Sequence, residues 1–575
     1  MEQIILDCIK KECLLNAIKY DGNCNPKAII GAVIRVFPEI KNNMKDLVLE
    51  INKFAKQINL LTLENQKQEI LSIDPEALDK KPAKQKKDLF KELLNAKQGK
   101  VIMRFAPSPS GPMHIGHVFS GMPTSIYTEK YKGKFILRIE DTNPENIYAP
   151  AYELLPKDAE WIFGNVTDVW IQSDRMQKYY EYAEKLIKNG SAYICDCDND
   201  EFKKLIWKKQ ACACRSLSAE ENLKRWNKML DSKGYKQGEA VLRFKADLEN
   251  KNPALRDFPL ARINEAEHPR QKNKYRVWPL MNLSVTVDDI EAGMTHIIRA
   301  KDHQINAVRQ KMIYDSLKIK NFPEILFLGR WNFEGLELSC SKTREKIEQG
   351  KFTGWDDIRL PFLPALKRRG YQADAFKKFV QQVGITANDK KMHADDFFKA
   401  LNAYNKEIID PVAKRFFFIN NPVKVKIKNA PTQNIELDLH PDNIQAGRKF
   451  KTNDSFLLDK NDIKTFKDNE LIRLMDCFNI RYKTSKDNEY VFDSLDYEYY
   501  KSKNGKRIIH WLPDSDDLVS AEILMPDNTL LKGKAESTIK QIKVGDIIQF
   551  ERRGFCRLDS IDKKSSTYKF WFAHR

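Results

Sequence analysis

No run of 18 consecutive apolar residues occurs anywhere in the 575-residue chain, so the sequence offers no helix of the length and apolarity that a bilayer crossing requires. Its first residues, MEQIILDCIKKECLL, hold no secretory or transit pattern, because acids and lysines break the short apolar stretch. A cytoplasmic protein that engages no membrane is the expectation. Cysteine is sparse, ten residues in all, too few for a disulfide scaffold in a chain of this length. No repeat with a period of roughly 20 to 50 residues recurs, and only brief lysine-rich patches approach low complexity.

What the chain does have is positive charge, a formal +18 at pH 7. Such an excess suits a polyanionic partner, whose phosphates release counterions on binding, although a generally basic surface has the same composition. The length allows about four domains. Apolar positions recur at intervals of three and four in IILDCIKKECLLNAI and DLVLEINKFAKQINLL, which predicts helices from residue 1 to about 75, with a turn at Asp21-Gly-Asn. A charged connector containing DKKPAKQKK follows, from Asp74 to Gly99. Between 100 and about 330 the short apolar runs VIMRFA, KFILRIE, AVLRFKA, THIIRA and ILFLG alternate with helical stretches, which predicts a parallel sheet with ligands at the carboxyl ends of its strands. Residues 335 to about 415 read as helical. From about 420, β-branched and aromatic runs split by polar turns predict antiparallel barrels.

Two segments more than 200 residues apart look like halves of one site. RFAPSPSGPMHIGH reads as a strand from Lys100 to Ala106 that breaks at a Pro/Gly-rich turn and enters a helix near Pro112. A helix start offers unpaired N–H groups to phosphate oxygens. His114 and His117 share one helix face, so both can donate to the same anion, and Gly116 leaves bare backbone for a flat base. By itself the pair is also compatible with two polar histidines near a helix end. The second segment is Ser339-Cys-Ser-Lys342-Thr343, and together the two suggest a composite site for the triphosphate of ATP.

Cys195-Asp-Cys197 and Cys212-Ala-Cys214 place four of the ten cysteines within 20 residues, in two identical pairs. Alternate residues of an extended segment project to one side, so each pair can offer two thiolates to one ion, and four thiolates suit a structural tetrahedral zinc. Buried free cysteine is the other reading. Aromatics stand beside cations in Lys414-Arg-Phe-Phe-Phe418, His510-Trp511, Phe550-Glu-Arg-Arg-Gly-Phe555 and Phe570-Trp-Phe572; these could stack RNA bases or pack a core.

RFAPSPSGPMHIGH, together with Arg138-Ile-Glu-Asp-Thr-Asn-Pro144, resembles the signature of class I glutamyl-tRNA synthetases of the archaeal and eukaryotic branch. SCSKT is similar to that family's KMSKS loop in diverged form, keeping Ser341 and Lys342. WPLMNLSVTVDD, THIIRAKDH, GWDDIRLP, NKEIIDPVAKRFFF, IIHWLP and GDIIQFERRGF extend the resemblance over residues 100 to 575. It implies an α/β Rossmann-type class I catalytic domain with an N-terminal helical extension, a helical connecting domain and C-terminal all-β anticodon-binding barrels. The boundaries that follow are 1–95 for the extension and linker, 96–335 for the catalytic domain, 336–418 for the KMSKS-like and stem-contact region, and 419–575 for the barrels. A zinc-containing, acceptor-binding insertion is expected at about 190–275.

The resemblance also implies a reaction: ATP, with Mg2+, activates L-glutamate to glutamyl-adenylate, and glutamate passes to the terminal ribose of tRNA(Glu). Whether tRNA(Gln) is charged too stays open, as does the role of the N-terminal helices. The enzyme is expected to be a monomer that needs bound tRNA before activation. His114, Gly116, His117, Ser341 and Lys342 would bind ATP; of the catalytic set His114, His117 and Lys342, the histidines would contact the triphosphate and Lys342, on a mobile loop, would stabilise the departing pyrophosphate. Arg104, Ser108, Glu140, Arg299 and Asp302 would bind glutamate, Arg104 gripping the side-chain carboxylate and Glu140 the ammonium. Met281 stands where bacterial members have tyrosine, leaving an apolar wall. Rival readings are a glutaminyl-tRNA synthetase, against which Arg104 and Ile139-Glu140 argue, a truncated paralogue that modifies a tRNA base, and an inert tRNA-binding scaffold.

Overall fold

The computed structural model describes residues 2–20, 22–74, 77, 89–484 and 489–575. The DKKPAKQKK run of the expected charged connector falls outside them. The chain divides into two compact units, Met1–Asp88 and Leu89–Arg575.

The first unit is helical. Gln3–Lys19 buries Ile5, Ile9, Cys13, Leu14 and Ala17, and Met44–Ile58 buries Leu47, Ile51, Ala55 and Ile58. This is the three-and-four spacing that puts one face of each helix into a shared core. Pro26–Val36 and Leu63–Ile73 complete the set, the latter started by Thr62, whose side chain accepts the Asn65 N–H.

The second unit begins with a doubly wound parallel sheet. Ile102–Phe105 pairs in parallel with Lys134–Ile139, which pairs in parallel with Asp168–Ile171. His296–Ala300 and Glu324–Leu328 form a second parallel pair. Thr295 joins the two groups, its N–H reaching the Ile102 carbonyl at 3.0 Å and its Oγ1 accepting the Ile102 N–H at 2.9 Å. Five of the six residues of Lys134–Ile139 are buried, as befits a strand covered on both faces. The strand order therefore reverses beside Ile102–Phe105, and a ligand crevice belongs at the carboxyl ends of that strand and of His296–Ala300.

The run AVLRFKA departs from expectation. Val241–Phe244 is not in the parallel sheet; it pairs antiparallel with Ala192–Cys195 and Phe258–Ile263, and Val277–Pro279 completes this separate four-stranded sheet. A short apolar run cannot by itself distinguish the two sheets, because both bury it. Helices Cys340–Glu348, Leu363–Arg369, Ala373–Val383 and Ala394–Ile409 follow.

The carboxyl-terminal part contains two seven-stranded, barrel-like sheets. Their pairing is mixed: Pro422–Lys428 runs antiparallel to Ser455–Asp459 but parallel to Glu489–Ser494, and Val519–Leu524 runs parallel to Thr567–His574. Of the aromatics beside cations all but Phe572, which is half-buried, are core. Phe416, Phe417, Phe418, Trp511, Phe550, Phe555, Phe570 and Trp571 are buried, so none of these presents a free face for stacking a base.

Candidate active site

A cavity of about 330 Å³ opens at the predicted crevice, lined by Arg104, Ser108, His117, Glu140, Met281 and Arg299 among others. The parallel strands deliver three of these: Arg104 from Ile102–Phe105, Glu140 from just beyond Lys134–Ile139, and Arg299 from His296–Ala300. Met281 begins the helix Met281–Glu291 and forms the anticipated apolar wall. Asp302 does not line the cavity: it is exposed and ion-paired to Arg330 at 2.5 Å. Its neighbour His303 lines the cavity instead, with Nδ1 3.1 Å from the Asn306 amide. Since the three-residue 3₁₀ turn Lys301–His303 sets which of these side chains faces inward, sequence spacing gave no signal for His303.

Buried charge surrounds the cavity. Arg138, fully buried, donates to Asp289 at 2.6 Å and to Glu140 at 3.0 Å. Arg104 also reaches Asp289, at 3.4 Å, and Arg175 holds Asp288 at 2.7 Å. Burial would raise Asp289, yet Arg138 and Arg104 keep its carboxyl below the usual range. Arg104 is pushed down by burial, and Arg299 is pushed down to about 10 by burial and the nearby charge of Arg104. Two guanidinium groups are thus held at one cavity with less compensation than they require, which is the electrostatic demand for an anionic ligand. Among the described residues the terminal nitrogens of Arg104 have no protein partner, so its forked face is open to a carboxylate. One oxygen of Glu140 is used by Arg138, and the other is available to a cation.

The histidine segment is built more tightly than its sequence suggests. The helix starts at Ile115, and His114 caps it: its Nδ1 accepts the Gly116 N–H at 3.0 Å, while the Nδ1 of His117 accepts the His114 N–H at 3.1 Å. Both rings accept through Nδ1, so each carries its proton on Nε2 and turns a donor outward. The rings stack, with centroids 3.9 Å apart. Burial holds His114 well below its ordinary pKa and His117 at about 4, so both are neutral donors. Gly116 has a reason beyond a bare surface for a base, since a Cβ there would stand 2.9 Å from the His114 ring.

SCSKT meets this segment through its cysteine. Cys340 is buried with Sγ 3.9 Å from the Pro112 carbonyl, and a Cβ at Gly111 would come within 3.0 Å of the same sulfur. Lys342 is not on a loop: it lies in the first turn of Cys340–Glu348, exposed, its N–H 3.4 Å from the Oγ of the capping Ser339. From the other side, Met113 to Leu363 is bridged by backbone bonds, Leu363 N–H to the Met113 carbonyl at 2.8 Å and Ile115 N–H to the Pro361 carbonyl at 3.3 Å. Asp158 accepts the Met113 N–H at 2.7 Å.

The four cysteines converge. Cys195 ends a strand, whereas Cys212 and Cys214 flank the start of the 3₁₀ turn Ala213–Ser216, so the second pair does not use the extended geometry expected of it. All four Sγ atoms lie within 4.8 Å of one another. Sulfurs around tetrahedral zinc sit about 3.8 Å apart for Zn–S bonds of about 2.3 Å, and Cys197 and Cys214 are 3.6 Å apart. Arg225 lies 4.0 Å from Cys214 Sγ and pairs with Asp196 at 3.0 Å, the carboxylate that accepts from that thiol at 3.0 Å. The donor set fits zinc and leaves no open position.

The chain is similar to known proteins over nearly its whole length. Residues 100–410 match the family model for the catalytic domain of class I (E and Q) tRNA synthetases, and residues 413–500 and 508–559 match two models for that group's anti-codon binding domain. The glutamate–tRNA ligase of Methanocaldococcus jannaschii is 40% identical over 563 residues, 98% of each chain. Those of Methanobrevibacter smithii and Pyrococcus furiosus are 38% and 40% identical, covering 99% and 96% of this chain and 99% and 97% of their own.

Proposed function

The chain belongs to the class I (E and Q) tRNA synthetases, and on that premise we propose that it is a glutamate–tRNA ligase acting on tRNA(Glu) in the cytoplasm. The observation that carries the choice of amino acid is the single cavity holding Arg104, Arg299 and Glu140. Glutamate has two carboxylates and one ammonium, and the cavity offers two guanidinium groups and one free carboxylate oxygen. Glutamine has one carboxylate fewer and would leave one of the two guanidinium groups without a substrate anion.

In activation, the substrate α-carboxylate attacks the α-phosphate of ATP, so the protein supplies position and charge rather than a nucleophile. Glu140 would fix the ammonium, Arg104 and Arg299 the carboxylates, and Ser108 would close the mouth of the cavity. The Nε2–H groups of His114 and His117 would donate to the phosphates as charge shifts toward pyrophosphate, assisted by Lys342 and the Ser341 hydroxyl. Neutral imidazoles suit this task because they require no compensating anion when ATP is absent. Mg2+ would arrive with the nucleotide, as its preference for phosphate oxygens and water implies. The four-cysteine site would hold zinc as a structural clamp between the strand end at Cys195 and the turn at Cys212–Cys214.

The zinc is tested by elemental analysis of protein purified without added metal. One zinc per chain is expected, with Cys197→Ser or Cys212→Ser lowering retention and the melting temperature. Four freely titratable thiols with no metal would refute the site. The function itself is tested by aminoacylation of tRNA(Glu) with labelled glutamate or glutamine; transfer of glutamine in preference to glutamate would overturn it.

A further inference from the structure

Four arginines gather at and behind the cavity, and three of them touch a carboxylate: Arg104 and Arg138 reach Asp289, and Arg175 reaches Asp288. Arg299 differs. Among the described residues no acid comes within ion-pair distance of it, and its one side-chain partner is the neutral amide of Gln310, Nη1 to Oε1 at 2.8 Å. Gln310 lies on the helix Gln304–Ser316 and is only 2% exposed. Both groups keep an unmet donor, Arg299 Nε and Gln310 Nε2, each buried without a hydrogen-bond partner. A glutamate side chain has the same shape as glutamine and carries two acceptors, so at position 310 it would relieve this local deficit and form a buried ion pair. The residue present is the one that leaves the guanidinium charged and uncancelled.

We infer that Gln310 is a positioning residue that sets amino-acid specificity: it orients Arg299 through a hydrogen bond while leaving the guanidinium charge to be met by a substrate carboxylate. This rests on the reading of the cavity as the glutamate site. It adds that selectivity depends on the neutrality of a residue behind the cavity as well as on the arginine that faces it. A carboxylate at 310 would compete with the substrate from inside the protein, and the electrostatic demand for glutamate would fall.

The test compares Gln310→Glu with Gln310→Met, each assayed for aminoacylation of tRNA(Glu) with glutamate and for thermal unfolding. Gln310→Glu should lower kcat/KM for glutamate by about 100-fold or more, chiefly through KM, because the site's buried charge is already paired. Its melting temperature should equal or exceed that of the wild type. Gln310→Met removes the hydrogen bond but adds no charge, and should stay within about tenfold of the wild type, the scale of one neutral hydrogen bond. A merely structural glutamine predicts the reverse order, with methionine the more damaging. Equal losses in the two variants, or glutamate use by Gln310→Glu within about tenfold of wild type, would overturn the inference. Failure of Gln310→Glu to fold would do so as well, since the added acceptors are expected to be accommodated. If the wild type itself does not charge glutamate, the reading of the cavity fails, and that result is separate from any behaviour of the variants.

Discussion

Replacing Arg104 or Arg299 with leucine is expected to lower kcat/KM for glutamate by on the order of 10³- to 10⁴-fold, while the poor reaction with glutamine changes by about tenfold at most. The physical basis is a difference between two ligands. Glutamate brings an anion to a guanidinium held where burial already pushes its pKa down; glutamine brings a neutral amide. A charge-assisted pair is lost in the first case and was never made in the second. The two arginines are not equivalent in what their removal leaves behind. Without Arg104, Asp289 keeps its 2.6 Å bond to Arg138, so no buried acid is abandoned. Without Arg299, only the neutral Gln310 loses a partner. Both variants should therefore fold, and kcat/KM for each amino acid, measured with cognate tRNA, reads the effect on binding and chemistry. A leucine variant that keeps its full preference for glutamate would remove that arginine from the assignment.

The second large effect concerns the histidines. His114→Asn and His117→Asn should each slow ATP–pyrophosphate exchange by about 100-fold or more, the scale of one lost donor to developing charge. Asparagine is chosen because its amide oxygen can still accept at the Nδ1 position, where His114 receives the Gly116 N–H and His117 the His114 N–H. Alanine would delete that cap and cost about 1 kcal/mol of stability as well, confounding the two roles. His117→Gln, whose amide nitrogen reaches toward the Nε2 position, should recover part of the rate. Near-wild-type exchange in both asparagine variants would sink the phosphate-binding role.

The same histidines set the sign of an acid effect. Folding holds His117 at about 4, below its ordinary value, so the unfolded chain binds more protons at this residue between that value and about pH 6.5. Stability contributed here is intact above that range and declines as pH falls through it. His114 acts in the same direction.

Much of the site was legible because its residues sit in contiguous segments with strong local meaning. RFAPSPSGPMHIGH contains a strand end, a turn and a helix start, and strand ends at a switch point are where ligands gather. Less legible were features made by packing between distant segments. That His114 and His117 cap their own helix depends on side-chain rotation, which no spacing reports. Lys342 read as a loop residue, yet Ser339 caps a helix that Cys340 anchors beneath the histidine segment. Asp302 and His303 were exchanged by one short turn. Gln310 gave no signal at all, since a lone glutamine on a helix is ordinary until its partner is seen to be an arginine with no acid beside it. In the carboxyl-terminal sheets, aromatics next to cations suited two fates, and burial at Phe417 and Trp511 decided for core.

Amino-acid choice and the ATP site are read together by ATP–pyrophosphate exchange by the unmodified protein, run with glutamate or glutamine, each with and without tRNA. Exchange is expected with glutamate when tRNA is present, and little or none with glutamine. Exchange that prefers glutamine, or none with either amino acid in the presence of tRNA, would contradict the glutamate assignment.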